Sequence, residues 1–141
     1  MKCSNRYIKY LTGLLMMLFS GMHSFAQQPT LSGTWVLQPV LPSDTAAGAR
    51  PSISFNTGNS SFTGFTGCND MSGNFKTKDG DLSFAKEIRL SKKICEGYNE
   101  KEFVMNLLRV NGYKFQDGIL VLLINTTPVS RWTRKEQQAA L

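Results

Sequence analysis

The chain has 141 residues, with 16 Lys and Arg against 10 Asp and Glu, a single His and three Cys. The formal charge of +6 is scattered along the chain, which argues against a nucleic-acid module, where positive charge gathers on one face. The length suits one domain around one hydrophobic core, with no need for several disulfides.

Lys2, Arg6 and Lys9 precede an apolar run from Tyr10 to Phe19, and small and polar residues then lead to Ser24-Phe25-Ala26. This is the order of a secretory signal peptide. The apolar stretch is about 10 residues, short of the roughly 20 that a membrane-crossing helix needs. Residues 1–26 are therefore expected to be cleaved, leaving Gln27 as the N-terminus of a periplasmic or secreted protein. Cys3 lies before the apolar run rather than just after it, so a lipoprotein is not expected. Cleavage removes three basic residues, no acidic ones and the sole His, His23. The mature chain then carries 13 basic and 10 acidic residues, a charge of +3.

Two cysteines remain, Cys68 and Cys95. In an oxidising compartment they form a natural pair. The alternative is two buried free thiols acting as small apolar residues.

Residues 27–30 read as a short lead. Thr34 to Gln38 reads as a strand, and Pro39 to Pro51 as a loop rich in Pro, Ala, Gly and Ser. Ser52 to Asn56 alternates polar and apolar, as a half-buried strand does. After a turn at Thr57-Gly58-Asn59 comes a strand from Ser61 to Phe65. There Phe62 and Phe65 fall on opposite faces, and Gly64 suggests a bulge. Gly67-Cys68-Asn69 makes a tight corner. Met71, Gly73 and Phe75 share a strand face, Asp79-Gly80 turns, and Leu82 and Phe84 alternate beyond it. Ile88 and Leu90 extend the alternation. Such short strands between turn signals indicate an antiparallel barrel or sandwich.

One segment departs from this pattern. Asn99 with Glu102 three residues on forms a capping box. Phe103, Leu107 and Val110, with Val104 and Leu108 beside them, give a helix with one buried stripe, and Gly112 is placed to end it. Tyr113 and Phe115 resume strand alternation, and Asp117-Gly118 signals a hairpin. Ile119 to Ile124 is apolar throughout, so a strand covered on both faces is expected. Val129 to Thr133 closes the domain, and 135–141 reads as a frayed tail. The fold class expected is mainly β with one α-helix, a small antiparallel, partly open barrel or sandwich crossed by the helix.

Without His in the mature chain, Ser–His–Asp and Cys–His catalysis are excluded, and the commonest metal ligand is missing. Two Cys alone do not fill a structural zinc site, and no phosphate-cradling Gly-rich motif is present. No cofactor and no metal are expected. The carboxylates left for chemistry are Asp70, Asp79 and Asp81, with Glu96, Glu100 and Glu102 around the helix start. Asp79 and Asp81 read as turn residues, and acids at a helix N-terminus favour the dipole. Asn59-Ser60-Ser61 and Asn125-Thr126-Thr127 match the glycosylation acceptor pattern, and Lys92-Lys93 reads as a solvated loop. Trp35, Phe55, Phe62, Phe75, Phe84, Phe103 and Trp132 read as a core, with an apolar ligand cavity as the alternative.

The opening Leu31 to Leu37, the Ile53 to Phe55 strand and above all Gly64 to Phe75, with Gly67-Cys68-Asn69 and then Ser72-Gly73-Asn74-Phe75, resemble the META domain, the HslJ-like family of bacterial envelope and secreted proteins. Cys95 falls where that family often has a second Cys, although Ser91-Lys92-Lys93-Ile94-Cys95 departs from its usual Thr-x-Met-Ala-Cys. The resemblance runs from about Leu31 to Arg134. It implies a partly open antiparallel barrel crossed by a helix, a link to stress tolerance or envelope integrity, and no established catalysis. It marks Gly67, Cys68, Asn69 and Gly73 as signature positions with a structural role, the glycines allowing the corner and Asn69 bonding its own backbone.

The function expected is therefore a non-enzymatic exported module, monomeric, binding a protein or an apolar small molecule. A carboxylate-dependent hydrolase is the alternative, and a redox role for Cys68 and Cys95 a third.

Overall fold

The computed structural model describes residues 29–39 and 48–135. The expected signal peptide, the middle of the 39–51 loop and most of the expected tail lie outside the described residues. Among the described residues nine strands and one helix follow in order. They are β1 (Gly33–Leu37), β2 (Ser52–Asn56), β3 (Ser61–Phe65), β4 (Asp70–Lys78), β5 (Asp81–Phe84), β6 (Arg89–Leu90), α1 (Glu100–Arg109), β7 (Gly112–Gln116), β8 (Ile119–Ile124) and β9 (Thr127–Arg134).

Every strand pairing is antiparallel. The sheet runs β3-β2-β1-β9-β8-β7-β5-β4-β6, and β3 also pairs with β4, so the pairing returns on itself. The ring is thinnest between β5 and β7, joined by the single pair Asp81↔Gly112. The fold is thus mainly β with one helix and a partly open ring, as the alternating pattern predicts. β5 and β6 take successive stretches of the same edge of β4, and β6 stands at the end of the sheet order.

Side-chain alternation sorts the residues. Ile53 and Phe55 on β2, Phe62 on β3, Met71 and Phe75 on β4, Leu82 and Phe84 on β5, and Leu120 and Leu122 on β8 all point inward and are buried. Phe55 meets Phe75 edge-on at 5.1 Å, and Phe62 meets Phe84 edge-on at 5.1 Å. Both indoles are buried with their N–H groups satisfied. Trp35 donates to the Leu31 carbonyl at 2.9 Å and Trp132 to Ser130 Oγ at 2.8 Å. Six of the seven predicted core aromatics are buried, and Phe103 packs against them from the helix. The interior is therefore filled by side chains, and the core reading holds over the ligand-cavity reading.

Helix α1 begins as its sequence predicts. Asn99 Oδ1 accepts from the Glu102 N–H at 3.2 Å, while Glu102 Oε2 accepts from Asn99 Nδ2 at 2.9 Å. Its apolar stripe enters the core through Leu107, with Phe103 6.4 Å from the Trp132 ring. Its end differs from expectation. Val110 is the C-cap, its N–H bonding the Leu107 carbonyl, and Gly112 is already in β7, paired with Leu123. The buried Val110 side chain anchors the exit, so no glycine cap is needed.

Four hairpin turns carry a non-glycine residue at positive φ, namely Asp79, Asp117, Asn125 and Ser60 at 50°, 52°, 56° and 55°. The first two are followed by Gly80 and Gly118, also at positive φ, which is the primed-turn geometry that the Asp-Gly pairs signal. β8 is covered on both faces at its centre, since Leu120, Val121 and Leu122 are all fully buried.

Two strand expectations need correction. No bulge forms at Gly64. β3 runs in unbroken register with both β2 and β4, and the register shift lies instead at Leu122/Leu123. Gly64 serves close approach, because a Cβ there would sit 2.2 Å from the Ser52 carbonyl oxygen. Ile88 packs against the core, but Ile88 and Leu90 do not continue as a regular inward-facing strand. Only Arg89 and Leu90 pair, and Leu90 is 37% exposed.

Candidate functional site

The signature residues form a corner between β3 and β4 that grips a distant loop. Gly67 has φ +105°, and the Tyr98 ring lies against it, 3.2 Å from where a Cβ would stand. A side chain there would be strained by its backbone and crowded by the ring. Thr66 closes the turn: its hydroxyl oxygen accepts from the N–H groups of Cys68 (3.1 Å) and Asn69 (2.8 Å). Tyr98 donates its hydroxyl to the Thr66 carbonyl.

Asn69 is 2% exposed and does not bond its own backbone. Thr66 takes that local role, which frees the Asn69 amide to reach across the fold. Oδ1 accepts from Ser91 Oγ and from the Lys93 N–H, both at 2.7 Å. Nδ2 donates to the Lys93 carbonyl at 3.1 Å and to Glu100 Oε2 at 2.9 Å. Glu100 Oε1 accepts from the Thr66 hydroxyl. One buried amide thus ties the corner to the segment after β6 and to the first turn of α1. Cys68 and Cys95 are joined in a disulfide, with Cα atoms 5.9 Å apart, so the same segment is held a second time, covalently. Among the described residues every buried side-chain N or O atom has a hydrogen-bond partner.

Gly73 lies outside the corner. It is paired with Phe62, whose ring would be 2.9 Å from a Cβ. Its role is to leave room for that buried ring rather than to shape the turn.

Asp70 is not brought to Asp79 and Asp81. Asp70 and the Asp79–Asp81 turn lie at opposite ends of the nine-residue β4, roughly 25 Å apart at strand rise. Glycosidase pairs stand within about 10 Å. Glu100 is engaged by Thr66 and Asn69, and Glu102 by the helix cap. Nothing in this arrangement supports the hydrolase reading. The two Asn-x-Ser/Thr matches fall in turns, where Asn59 Oδ1 accepts from the Ser61 hydroxyl at 2.6 Å and Asn125 Oδ1 from Asn111 Nδ2 at 2.9 Å.

An open groove of about 680 Å³ lies on the outer face of β2, β3, β4 and β6. Register builds it in two rows. Thr34, Ser54, Thr63, Ser72 and Arg89 follow one another across five strands. Ser52, Phe65 and Asp70 form the next row. Thr34 and Ser54 share a hydrogen bond of 3.0 Å between their hydroxyls. Beyond β4, Ser91 Oγ accepts from the Asp70 N–H at 3.0 Å. Neighbouring strands across such a row stand about 4.8 Å apart. Sequence reading missed this row, because its members come from strands whose pairing order the sequence does not state. Thr66, Ser91, Tyr98 and the bridging role of Glu100 were missed for the same reason. Alternation does place Ser52, Ser54, Thr63 and Phe65 on outward faces, and that was the available signal.

Fold and corner together define a small antiparallel β module with a helix across it and a disulfide-braced turn. The chain belongs to the META domain family, whose profile matches residues 28–138. No curated protein matches it. Similar solved structures include an NMR structure of a protein from Burkholderia xenovorans, at TM-score 0.55 and 23% identity over 74% of this chain and 82% of that one. A crystal structure of a DUF4847 family protein from Bacteroides vulgatus is similar at TM-score 0.52 and 18% identity, over 72% of this chain and 92% of that one. At these identities the likeness is one of fold.

Proposed function

We propose that this protein is a non-enzymatic, exported binding module that holds a protein segment across its outer groove, in service of envelope integrity or stress tolerance. The observation that carries the reading is the two-row surface of hydroxyls, with Phe65 in its centre and Arg89 and Asp70 at its margin. Hydroxyls at strand spacing offer donors and acceptors to an extended chain, Phe65 offers an apolar anchor, and β6 offers a strand edge for main-chain pairing. The filled interior favours a surface partner over an enclosed apolar ligand. The Cys68–Cys95 bond favours an oxidising compartment, in keeping with the signal-like sequence of residues 1–26. The separated carboxylates favour binding over hydrolysis.

The test is site-specific photo-crosslinking in the native host. A photoreactive side chain at Ser54 or Thr63 is expected to give a discrete protein adduct, and one at Lys114, on β7 away from the groove, is not. Adducts from neither groove position, or equal adducts from all three, would count against the reading.

A further inference from the structure

We propose that the tip Lys92-Lys93-Ile94 is a docking knob for an anionic lipid surface. The proposal goes beyond the groove reading and does not rest on it.

The chain holds this tip on both sides. Asn69 bonds both the N–H and the carbonyl of Lys93, at 2.7 and 3.1 Å. Cys95 is fixed to Cys68. Between these anchors stands Ile94, 97% exposed. An apolar side chain that stays as wet in the folded protein as in the unfolded one adds nothing to folding. Here a buried polar network and a disulfide fix the backbone on either side of it. Lys92 and Lys93 are exposed beside it, and exposed Arg89 and half-exposed Leu90 on β6 extend the same character. Glu96 is the nearest acidic residue along the chain and lies beyond the disulfide.

The shape selects the occupant. A protein interface needs about 800 Å² on each side, with a central packed cluster. The tip offers one isoleucine and part of a leucine. A bilayer needs no shape complementarity, because its interface closes around a protruding side chain while headgroup phosphates meet the flanking ammonium groups. Apolar insertion combined with basic residues is the usual physical recipe for reversible surface binding. A tip already fixed loses little conformational entropy on docking.

The test places a reporter at the tip with Ile94→Trp in the full chain, mixed with vesicles of 30% phosphatidylglycerol and 70% phosphatidylcholine. Position 94 is exposed, so the fold tolerates the change, and Trp35 and Trp132 are buried and give a constant background. The expected result is a blue-shifted indole emission that brominated lipid quenches. Because the readout belongs to position 94, binding by any other segment does not mimic it. Adding Lys92→Glu and Lys93→Glu is expected to weaken the partition at least about 25-fold, since each basic residue near an anionic surface contributes roughly fivefold. No blue shift with the anionic vesicles would overturn the proposal. So would an equal shift with pure phosphatidylcholine, or a shift indifferent to the two lysine changes.

Discussion

Replacing Asn69 with Ala removes the one amide on which three elements converge. The Lys93 N–H, the Lys93 carbonyl and Glu100 Oε2 each lose a partner at 2.7, 3.1 and 2.9 Å. Ser91 Oγ still accepts from the Asp70 N–H, so it is left out of the sum. An orphaned polar group costs about 1–3 kcal/mol, and these three lie near the surface, where water reaches them in part, so about 1 kcal/mol each is appropriate. The expected loss is about 3 kcal/mol, a large share of the 5–15 kcal/mol typical of a domain. Urea denaturation at 25 °C with unchanged m-value measures it. The same change in a Cys68→Ala/Cys95→Ala background is expected to cost less. With both tethers gone, the 91–95 segment can swing into water and solvate its orphaned groups, so the two effects fall short of adding. A loss under about 1 kcal/mol for Asn69→Ala in the oxidised protein would refute the reasoning, because it would mean that the network is already open in solution.

Removing the disulfide alone, which closes a separation of 27 residues, is expected to cost about 3–4 kcal/mol in the chain-entropy model; comparing urea midpoints with and without reductant reads it directly. Gly64→Ala is expected to cost more than about 2 kcal/mol, because its Cβ would meet the Ser52 carbonyl at 2.2 Å and a backbone neighbour yields only by distorting the sheet; a thermal midpoint within 3 °C of the parent, a shift of under about 1 kcal/mol, would contradict this. Asn99→Ala is expected to cost about 1 kcal/mol through the lost helix cap, seen as a lower urea midpoint. Phe65→Ser, half-buried on the outer face, is expected to cost only about 1 kcal/mol of stability while abolishing the groove crosslinks; retained crosslinks would remove Phe65 from the binding surface.

Much of the fold is legible because local rules and global fold agree. Ser52–Asn56 alternates cleanly, Asp79-Gly80 and Asp117-Gly118 demand primed turns, and the Asn99–Glu102 box fixes where the helix begins. The misreadings share one cause. Gly64 suggests a bulge from within its own strand, yet its reason lies across the sheet at Ser52. Gly112 looks like a cap from the helix side, yet it is claimed by Leu123 and Asp81 on neighbouring strands. Asn69 reads as a self-contained turn residue, whereas its partners are 22 to 31 residues away. Contacts of that range follow from topology, and alternation carries the face of a residue without its neighbour. The outer hydroxyl row is invisible for the same reason until the order of the strands is known.

The proposed role of the corner is that of a staple rather than a reacting centre, and the Lys93 amide tests this most directly. Its N–H is bonded to Asn69 Oδ1 at 2.7 Å in a segment with no regular secondary structure. Hydrogen exchange is expected to find it protected to nearly the level of the β-sheet amides and to lose that protection with Asn69→Ala. Exchange of the Lys93 amide at the rate of an open loop in the parent protein would contradict the account.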